Sequence, residues 1–163
     1  MENKKVVYLT LLLKIVSVTD MLHSSLVIDS SVAVKWVSAI DEQYVEQAKQ
    51  ILLAKRNETI QLYMPELAKY EVGNALQNKK IPISQILETL QAFYEIPIKF
   101  ITETPSLATI SMTIARESQM TYYDAVFIAL AQKLNAPLVT ANPKHHKKYT
   151  GKDVTIIPLE NYK

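Results

Sequence analysis

The chain has 163 residues, of which 48% are apolar and 21% are charged, the size and composition of one ordinary globular domain. Its formal net charge of +2 neither indicates nor excludes a nucleic-acid partner, because acids gathered in one site can mask basic residues elsewhere. The absence of cysteine excludes disulfides, zinc–thiolate sites and thiol nucleophiles, and a reducing cytoplasm is the expected location. Two glycines are also too few for a glycine-rich loop that binds ATP or NAD.

Residues 1–24 are predicted to be an N-terminal extension whose role the sequence leaves open. Their apolar stretch VVYLTLLL ends at Lys14 and is far shorter than the ~20 residues that a membrane-spanning helix needs. A clear small-residue cleavage site of a signal peptide is also missing, so no membrane association is expected. Two alternatives stay open: the segment packs on the domain as an extra element, or translation begins at Met21.

Beyond residue 24, short apolar strands alternate with helices. Strands are predicted at residues 26–28, 60–64, 98–101, 138–141 and 154–159. Helices are predicted at residues 32–37, 42–55, 67–78, 84–94, 105–117 and 122–134, the first of them capped by Ser30 and Ser31. Apolar strands separated by helices are typical of a parallel sheet that is covered on both faces. The sequence therefore predicts one α/β domain over residues 25–163, with a central, mostly parallel sheet.

Two polar residues follow predicted strands directly, where the functional groups of open parallel α/β sheets gather. Asp29 ends the first apolar strand, and Asn142 comes just after the strand 138–141. A second interpretation of Asp29 is an ordinary helix cap for the turn that begins at Ser30. The pattern alone does not show whether the two strands are neighbours.

Asp124 and Glu71 lie on predicted helices, on or beside the faces that are expected to pack. Asp124 shares its face with apolar residues three, four and seven positions later, and a buried carboxylate is costly unless it is paired, capping or bound to a cation. Thr121 begins a capping-box pattern that would give Asp124 a purely structural role. Glu71, taken alone, is most simply a surface glutamate in a helical ion pair.

Asp29, Glu71 and Asp124 come from three separate segments that could converge at one end of the sheet. Their mutual repulsion would then call for a cation. Oxygen ligands without cysteine, and without a histidine in these three segments, favour a hard ion such as Mg²⁺ or Mn²⁺.

Four segments in order resemble the signature segments of PIN-domain ribonucleases, most closely the VapC-type toxins of VapBC toxin–antitoxin pairs. The resemblance spans about residues 25–160, and the order and spacing of the segments agree with the family. The segments are LVIDSSVAVKW at 26–36, YEVGNAL at 70–76, YYDAVFIALAQKL at 122–134 and LVTAN at 138–142.

This resemblance implies a three-layer α/β/α PIN-like domain and a metal-dependent ribonuclease that hydrolyses RNA phosphodiester bonds. It implies that Asp29, Glu71 and Asp124 are catalytic and hold Mg²⁺ or Mn²⁺, with Asp29 and Asp124 as the more direct ligands. Asn142 stands at the fourth catalytic position, where the family usually has aspartate. An amide supplies no charge and cannot act as a base, so we expect one firmly held ion in the resting state.

Further roles are predicted for neighbouring residues. Ser31 and Thr140 are candidates to orient the carboxylates, and an ordinary cap or strand-end hydroxyl is the alternative. Lys144, Lys147 and Lys148 lie in the densest basic segment and are candidates to bind RNA phosphates, with a solvated loop as the alternative. The two adjacent histidines of this segment do not form a helical or strand-face pair, so they are not predicted to be ligands.

The resemblance to toxins also implies an RNA substrate, a VapB-like antitoxin whose tail fills the acidic groove, and a homodimer through the helices of residues 65–94. One alternative is a PIN-like RNA- or protein-binding module with a weakened site, which Asn142 favours. Another is a PIN nuclease of RNA processing or DNA repair. The presence of Asp29, Glu71 and Asp124 favours the enzyme.

Overall fold

The computed structural model describes residues 24–40 and 42–163, and the strands of this part form one five-stranded sheet. All neighbouring strands are parallel, in the order β3–β2–β1–β4–β5, so the predicted parallel sheet is confirmed. The predicted extension and the alternative start at Met21 lie outside the described residues, except for Ser24. The strands are β1 (Ser24–Ile28), β2 (Ile60–Pro65), β3 (Lys99–Ile101), β4 (Leu138–Thr140) and β5 (Ile156–Pro158).

The α-helices of the described residues form two groups, which with the sheet make the three layers of the predicted α/β/α fold. The first helix packs on the next three, whereas the fifth packs on the sixth. The chain moves outward from β1 to β3 and then crosses back to β4, so right-handed crossovers place the two groups on opposite faces. The helices are α1 (Ser30–Val37), α2 (Val45–Arg56), α3 (Leu67–Gln77), α4 (Ile83–Glu95), α5 (Pro105–Glu117), α6 (Tyr122–Leu134) and α7 (Pro143–His146). A helix with the length and apolar character of a membrane span is not found among residues 24–40 and 42–163.

The starts of two helices differ from the predicted ones. Asp29, rather than Ser30 or Ser31, is the N-cap of α1, and its side chain accepts the Ser31 backbone N–H. Helix α2 begins at Val45 rather than at residue 42, because Tyr44 has a φ of 59°, in the left-handed region that a helix does not continue through. Both differences are local, and the predicted strands and helices occur in the predicted order. The short helix α7 is additional, because it lies in the basic segment for which the sequence predicts a loop.

The central strand β1 and the helix α6 form the middle of the hydrophobic core. Val27 and Ile28 of β1 are fully buried, and α6 buries the unbroken run from Ala125 to Ala131 against β1, β2 and β4. Helix α6 leads directly into β4, so its first turn lies at the carboxyl edge of the sheet, as does the first turn of α1, which follows β1. The core therefore holds two helix N-termini beside the carboxyl ends of β1 and β4.

The second half of α1 is anchored by polar contacts to its neighbours. Glu42 accepts hydrogen bonds from Lys35 at 2.5 Å and from Lys79, just beyond α3, at 2.6 Å. Burial raises the pKa of Glu42, but the hydrogen bonds and charges of the two lysines outweigh burial and hold this pKa below its ordinary value. The Trp36 indole N–H also donates to the Ala48 carbonyl of α2 at 2.8 Å. These contacts fix the position of α1 relative to α2 and α3.

Candidate active site

Two of the residues predicted to form the site follow the carboxyl ends of β1 and β4, which are neighbours in the sheet. Asp29 directly follows β1, and Asn142 lies two residues beyond β4. The Asp29 backbone N–H donates to the Val139 carbonyl at 2.9 Å, so pairing with β4 continues past the end of β1. The structure thus brings together the two strand ends that the sequence pattern left unconnected.

The Asp29 carboxylate is buried, and each of its oxygens accepts a hydrogen bond. Oδ1 accepts the Ser31 backbone N–H at 3.0 Å, and Oδ2 accepts the Thr140 hydroxyl at 2.5 Å. Only 9% of Asp29 is exposed, so these bonds offset the cost of removing a carboxylate from water. The two interpretations of Asp29 are compatible, because one side chain both caps α1 and lies at the carboxyl edge of the sheet.

Ser31 and Thr140 have different contacts at this edge. The Ser31 hydroxyl accepts the Ala141 backbone N–H at 3.0 Å, so it links α1 to the end of β4. Among the described residues this hydroxyl makes no hydrogen bond to a carboxylate, and Ser31 contacts Asp29 through its backbone N–H only. The Thr140 hydroxyl donates to Asp29 and accepts the Asn142 backbone N–H at 3.0 Å. The Asn142 side chain is exposed at the rim of this network.

Glu71 is half-buried on α3 and accepts a hydrogen bond from the Ser30 hydroxyl at 2.6 Å. The expected surface ion pair is absent among the described residues, where Lys69 pairs instead with Glu66 at 2.9 Å. Burial raises the pKa of Glu71, and the charges of Asp29 and Asp124 raise this pKa further. The hydrogen bond from Ser30 offsets these effects only in part. The three acids therefore act on one another through their charges.

Asp124 lies in the first turn of α6 and is held by the residue that caps this helix. The Thr121 hydroxyl accepts the Asp124 backbone N–H at 3.1 Å and donates to its Oδ2 at 2.6 Å. Oδ1 lies 3.5 Å from Nδ1 of His145, and the side chain is 24% exposed. The predicted capping contact is therefore present. It uses Oδ2 of Asp124, whereas Oδ1 is the oxygen on the side of His145.

Two histidines that the sequence interpretation set aside lie beside the acids. His145 approaches Asp124, while Nδ1 of His146 lies 3.9 Å from Oδ2 of Asp29. His146 is buried, and within the described part of the chain neither of its ring nitrogens has a hydrogen-bond partner. A buried polar group without a partner typically costs ~1–3 kcal/mol. In the sequence, His145 and His146 come soon after the end of β4, at the same edge of the sheet as Asn142. This position is the signal that could have identified the two histidines as neighbours of the acids.

The oxygen donors at this edge fit a divalent cation in their chemistry but are not gathered around one point. Among residues 24–40 and 42–163, no three His, Asp or Glu side chains stand close enough together to hold a metal ion as placed. Burial is the largest cause of the raised pKa of Glu71, and the charges of Asp29 and Asp124 add to it, so a cation between the acids would relieve part of the effect. Asp29, Glu71 and Asp124 are therefore the residues that could hold a hard divalent ion.

An open cleft of 430 Å³ lies beside Asp124. Lys144, His145 and Lys148 line one side of it, and the segment from Gln119 to Thr121 lines the other. Lys148 donates to the Gln119 carbonyl at 2.9 Å, which holds the two sides together. Lys147 is exposed and does not line this cleft. The three lysines therefore have different positions in the structure, although the sequence pattern does not distinguish them.

A parallel α/β/α fold with one acid at the carboxyl end of its central strand and an acid on each of two helices is typical of a PIN-like domain. Residues 26–151 match the PIN domain family, and the chain belongs to this family. No protein of curated function matches the sequence.

Solved structures that resemble this chain include the PIN domains of toxin–antitoxin systems. The VapBC complex of Rickettsia felis bound to promoter DNA has a TM-score of 0.63 at 14% identity, over 82% of this chain and 98% of the other. A toxin–antitoxin complex from Klebsiella pneumoniae has a TM-score of 0.58 at 19% identity, over 82% and 96%. The sarcin–ricin-loop-cleaving VapC toxin of Mycobacterium tuberculosis has a TM-score of 0.54 at 13% identity, over 69% and 86%. At these identities the likeness shows a shared fold.

Replacing Glu71 with glutamine should stabilise the metal-free protein. Burial and the like charges of Asp29 and Asp124 disfavour the ionised carboxylate, whereas glutamine is neutral and can still accept the Ser30 hydrogen bond. We expect the free energy of unfolding in urea, with EDTA at pH 7, to rise by about 0.5–1 kcal/mol. Glu88→Gln on the exposed side of α4 is the matched control, with little change expected. A Glu71→Gln variant less stable than the wild type would contradict the proposed repulsion.

Proposed function

We propose that this protein is a Mg²⁺- or Mn²⁺-dependent endoribonuclease and the toxin of a type II toxin–antitoxin pair. The observation that carries the proposal is the electrostatic coupling of Asp29, Glu71 and Asp124 at the carboxyl edge of a PIN-domain sheet. Further support comes from the structural neighbours, one of which is a toxin that cleaves the sarcin–ricin loop of RNA.

In the proposed reaction, a water oxygen bonds to the phosphorus of an RNA phosphodiester while one ester P–O bond breaks and the departing oxygen takes up a proton. When bound, the divalent ion supplies a more acidic water ligand and stabilises negative charge on the phosphoryl oxygens. Asp29 and Asp124 hold the ion, and Glu71 supports them from α3. The hydroxyls of Thr140, Ser30 and Thr121 keep the three carboxylates in place.

Asn142 makes the fourth catalytic position neutral. Its amide oxygen can accept a hydrogen bond from water, but it adds no charge and cannot take a proton. The proposal is therefore one firmly held ion in the resting protein, with any second ion arriving together with the substrate. The same residue is the feature that favours the alternative of a weakened, RNA- or protein-binding PIN domain.

Asp29→Asn and Asp124→Asn should each reduce cleavage of structured RNA by a factor on the order of 100 or more, because each removes a charge that holds the ion. The measurement is single-turnover cleavage with Mg²⁺ and with Mn²⁺, compared with the wild type. If the three proteins cleave alike, the assigned roles are wrong. If the wild type cleaves no RNA with either metal, the binding-module alternative is the better interpretation.

The same assay tests the basic side of the cleft. Lys144 lines the cleft beside Asp124 and is positioned to meet an RNA phosphate, so Lys144→Ala should raise KM several-fold with little change in kcat. Lys147→Ala is the matched control, since it removes the same charge three residues away and outside the cleft. Equal effects of the two substitutions would indicate a general electrostatic contribution rather than contact in this cleft.

The proposed partner is a VapB-like antitoxin whose tail covers the acidic edge. The toxin–antitoxin complexes among the structural neighbours support this pairing. If a gene beside the one for this chain encodes a small DNA-binding protein, that protein is the first candidate. Its excess should suppress RNA cleavage as the tail occupies the site. Full activity in the presence of a stable complex would contradict the proposed mode of inhibition.

A homodimer through α3 and α4 is proposed from the apolar side chains that these helices expose. Tyr70, Ile83, Leu87 and Tyr94 are each more than half exposed, and Ile83 and Leu87 are one helical turn apart. Ile83→Glu with Leu87→Glu should shift the sedimentation coefficient from dimer to monomer without unfolding the chain. Leu53→Glu, on the exposed side of α2, is the matched control. A wild type that sediments as a monomer at micromolar concentration would contradict the proposal.

A further inference from the structure

His146 is a buried polar side chain whose position in the core is otherwise unexplained. It ends the short helix α7, its side chain is only 2% exposed, and α7 packs on β5 at the edge of the sheet. Within the described residues, Nδ1 and Nε2 both lack a hydrogen-bond partner. A phenylalanine could fill such a space without this cost, so the two buried nitrogens call for an explanation beyond packing.

The ring is directed at one carboxylate of the candidate active site. Nδ1 lies 3.9 Å from Oδ2 of Asp29, and a closure of about 1 Å would give an ordinary N–H···O hydrogen bond. Oδ2 already accepts the Thr140 hydroxyl, but a carboxylate oxygen has lone pairs for a second donor. A neutral imidazole carries one N–H, and Asp29 favours the tautomer with this proton on Nδ1.

We propose that His146 is a positioning residue for Asp29, an inference that rests on the proposed metal-dependent function. The His146 Nδ1–H and the Thr140 hydroxyl together hold Oδ2, and they fix the orientation in which Asp29 meets a divalent cation. Ser31 holds the other oxygen through its backbone N–H. His146 acts through Asp29 and does not touch the ion or the RNA. A hydrogen bond of this kind to a ligating carboxylate typically changes metal affinity 10- to 100-fold.

The test is Mn²⁺ binding to the full chain, followed by electron paramagnetic resonance, with the thermal midpoint of the metal-free protein measured beside it. His146→Phe should weaken Mn²⁺ binding about tenfold. Its metal-free thermal midpoint should be unchanged or higher, because Nδ1 lies 3.9 Å from Asp29 and Nε2 has no partner among the described residues, so the substitution removes no formed hydrogen bond. The bond from Nδ1–H to Asp29 is proposed for the metal-bound protein. A purely structural role for His146 would instead lower the midpoint and leave Mn²⁺ affinity unchanged in the folded protein.

Two further variants keep the inference testable if His146→Phe folds poorly. Asparagine places its amide nitrogen near the position of Nδ1, and glutamine places it near Nε2. His146→Asn should therefore restore Mn²⁺ affinity to within about threefold of the wild type, whereas His146→Gln should not. Equal affinities of the two variants would overturn the assignment to Nδ1.

Outcomes that overturn the inference differ from those that overturn the proposed function. If Asp29→Asn abolishes Mn²⁺ binding and His146→Phe does not weaken it, His146 is not a positioning residue, and the metal site stands. Nitrogen hyperfine coupling to bound Mn²⁺ that disappears in His146→Phe would make His146 a ligand and would also overturn the inference. If the wild type binds no Mn²⁺, the proposed function fails, and the inference fails with it.

Discussion

The rest of the site depends on one buried carboxylate at the end of the central strand. Asp29 follows a strand that is paired on both sides, so the backbone that carries it is held by β2 and β4. A carboxylate in this position needs hydrogen bonds, and it obtains them from the first turn of α1 and from Thr140 of β4. The requirement to satisfy Asp29 thus joins α1 and β4 at the edge where the other polar residues lie.

Each of the three acids accepts a hydrogen bond from a neutral hydroxyl, while His145 and His146 lie farther off, 3.5 Å from Asp124 and 3.9 Å from Asp29. Thr140 donates to Asp29, Ser30 donates to Glu71 and Thr121 donates to Asp124. A hydroxyl supplies a hydrogen bond without cancelling the charge. The acids therefore keep their mutual repulsion, which adds to the effect of burial in raising the pKa of Glu71, and the negative potential remains available to a cation.

The parts of the fold that follow local rules could be predicted from the sequence. Apolar strands and amphipathic helices have different periods, and parallel strands end at one edge, which places Asp29 and Asn142 at the same edge of the sheet. That β1 and β4 are neighbours follows only from the structure. The contact of Ser30 with Glu71 joins residues 41 positions apart and depends on how α1 packs on α3, which no local pattern specifies. The different surroundings of His145 and His146 also depend on the placement of α7, a helix of only four residues.

The anchoring of α1 has a spectroscopic consequence. Trp36 is the only tryptophan of the chain, it is partly buried, and it lies on the helix whose first turn carries Ser30 and whose cap is Asp29. Its indole bonds to α2, less than two helical turns from the polar edge of the sheet. Tryptophan fluorescence of the wild-type chain therefore arises from one known position, and a change in its emission maximum would report movement of α1 without an added label.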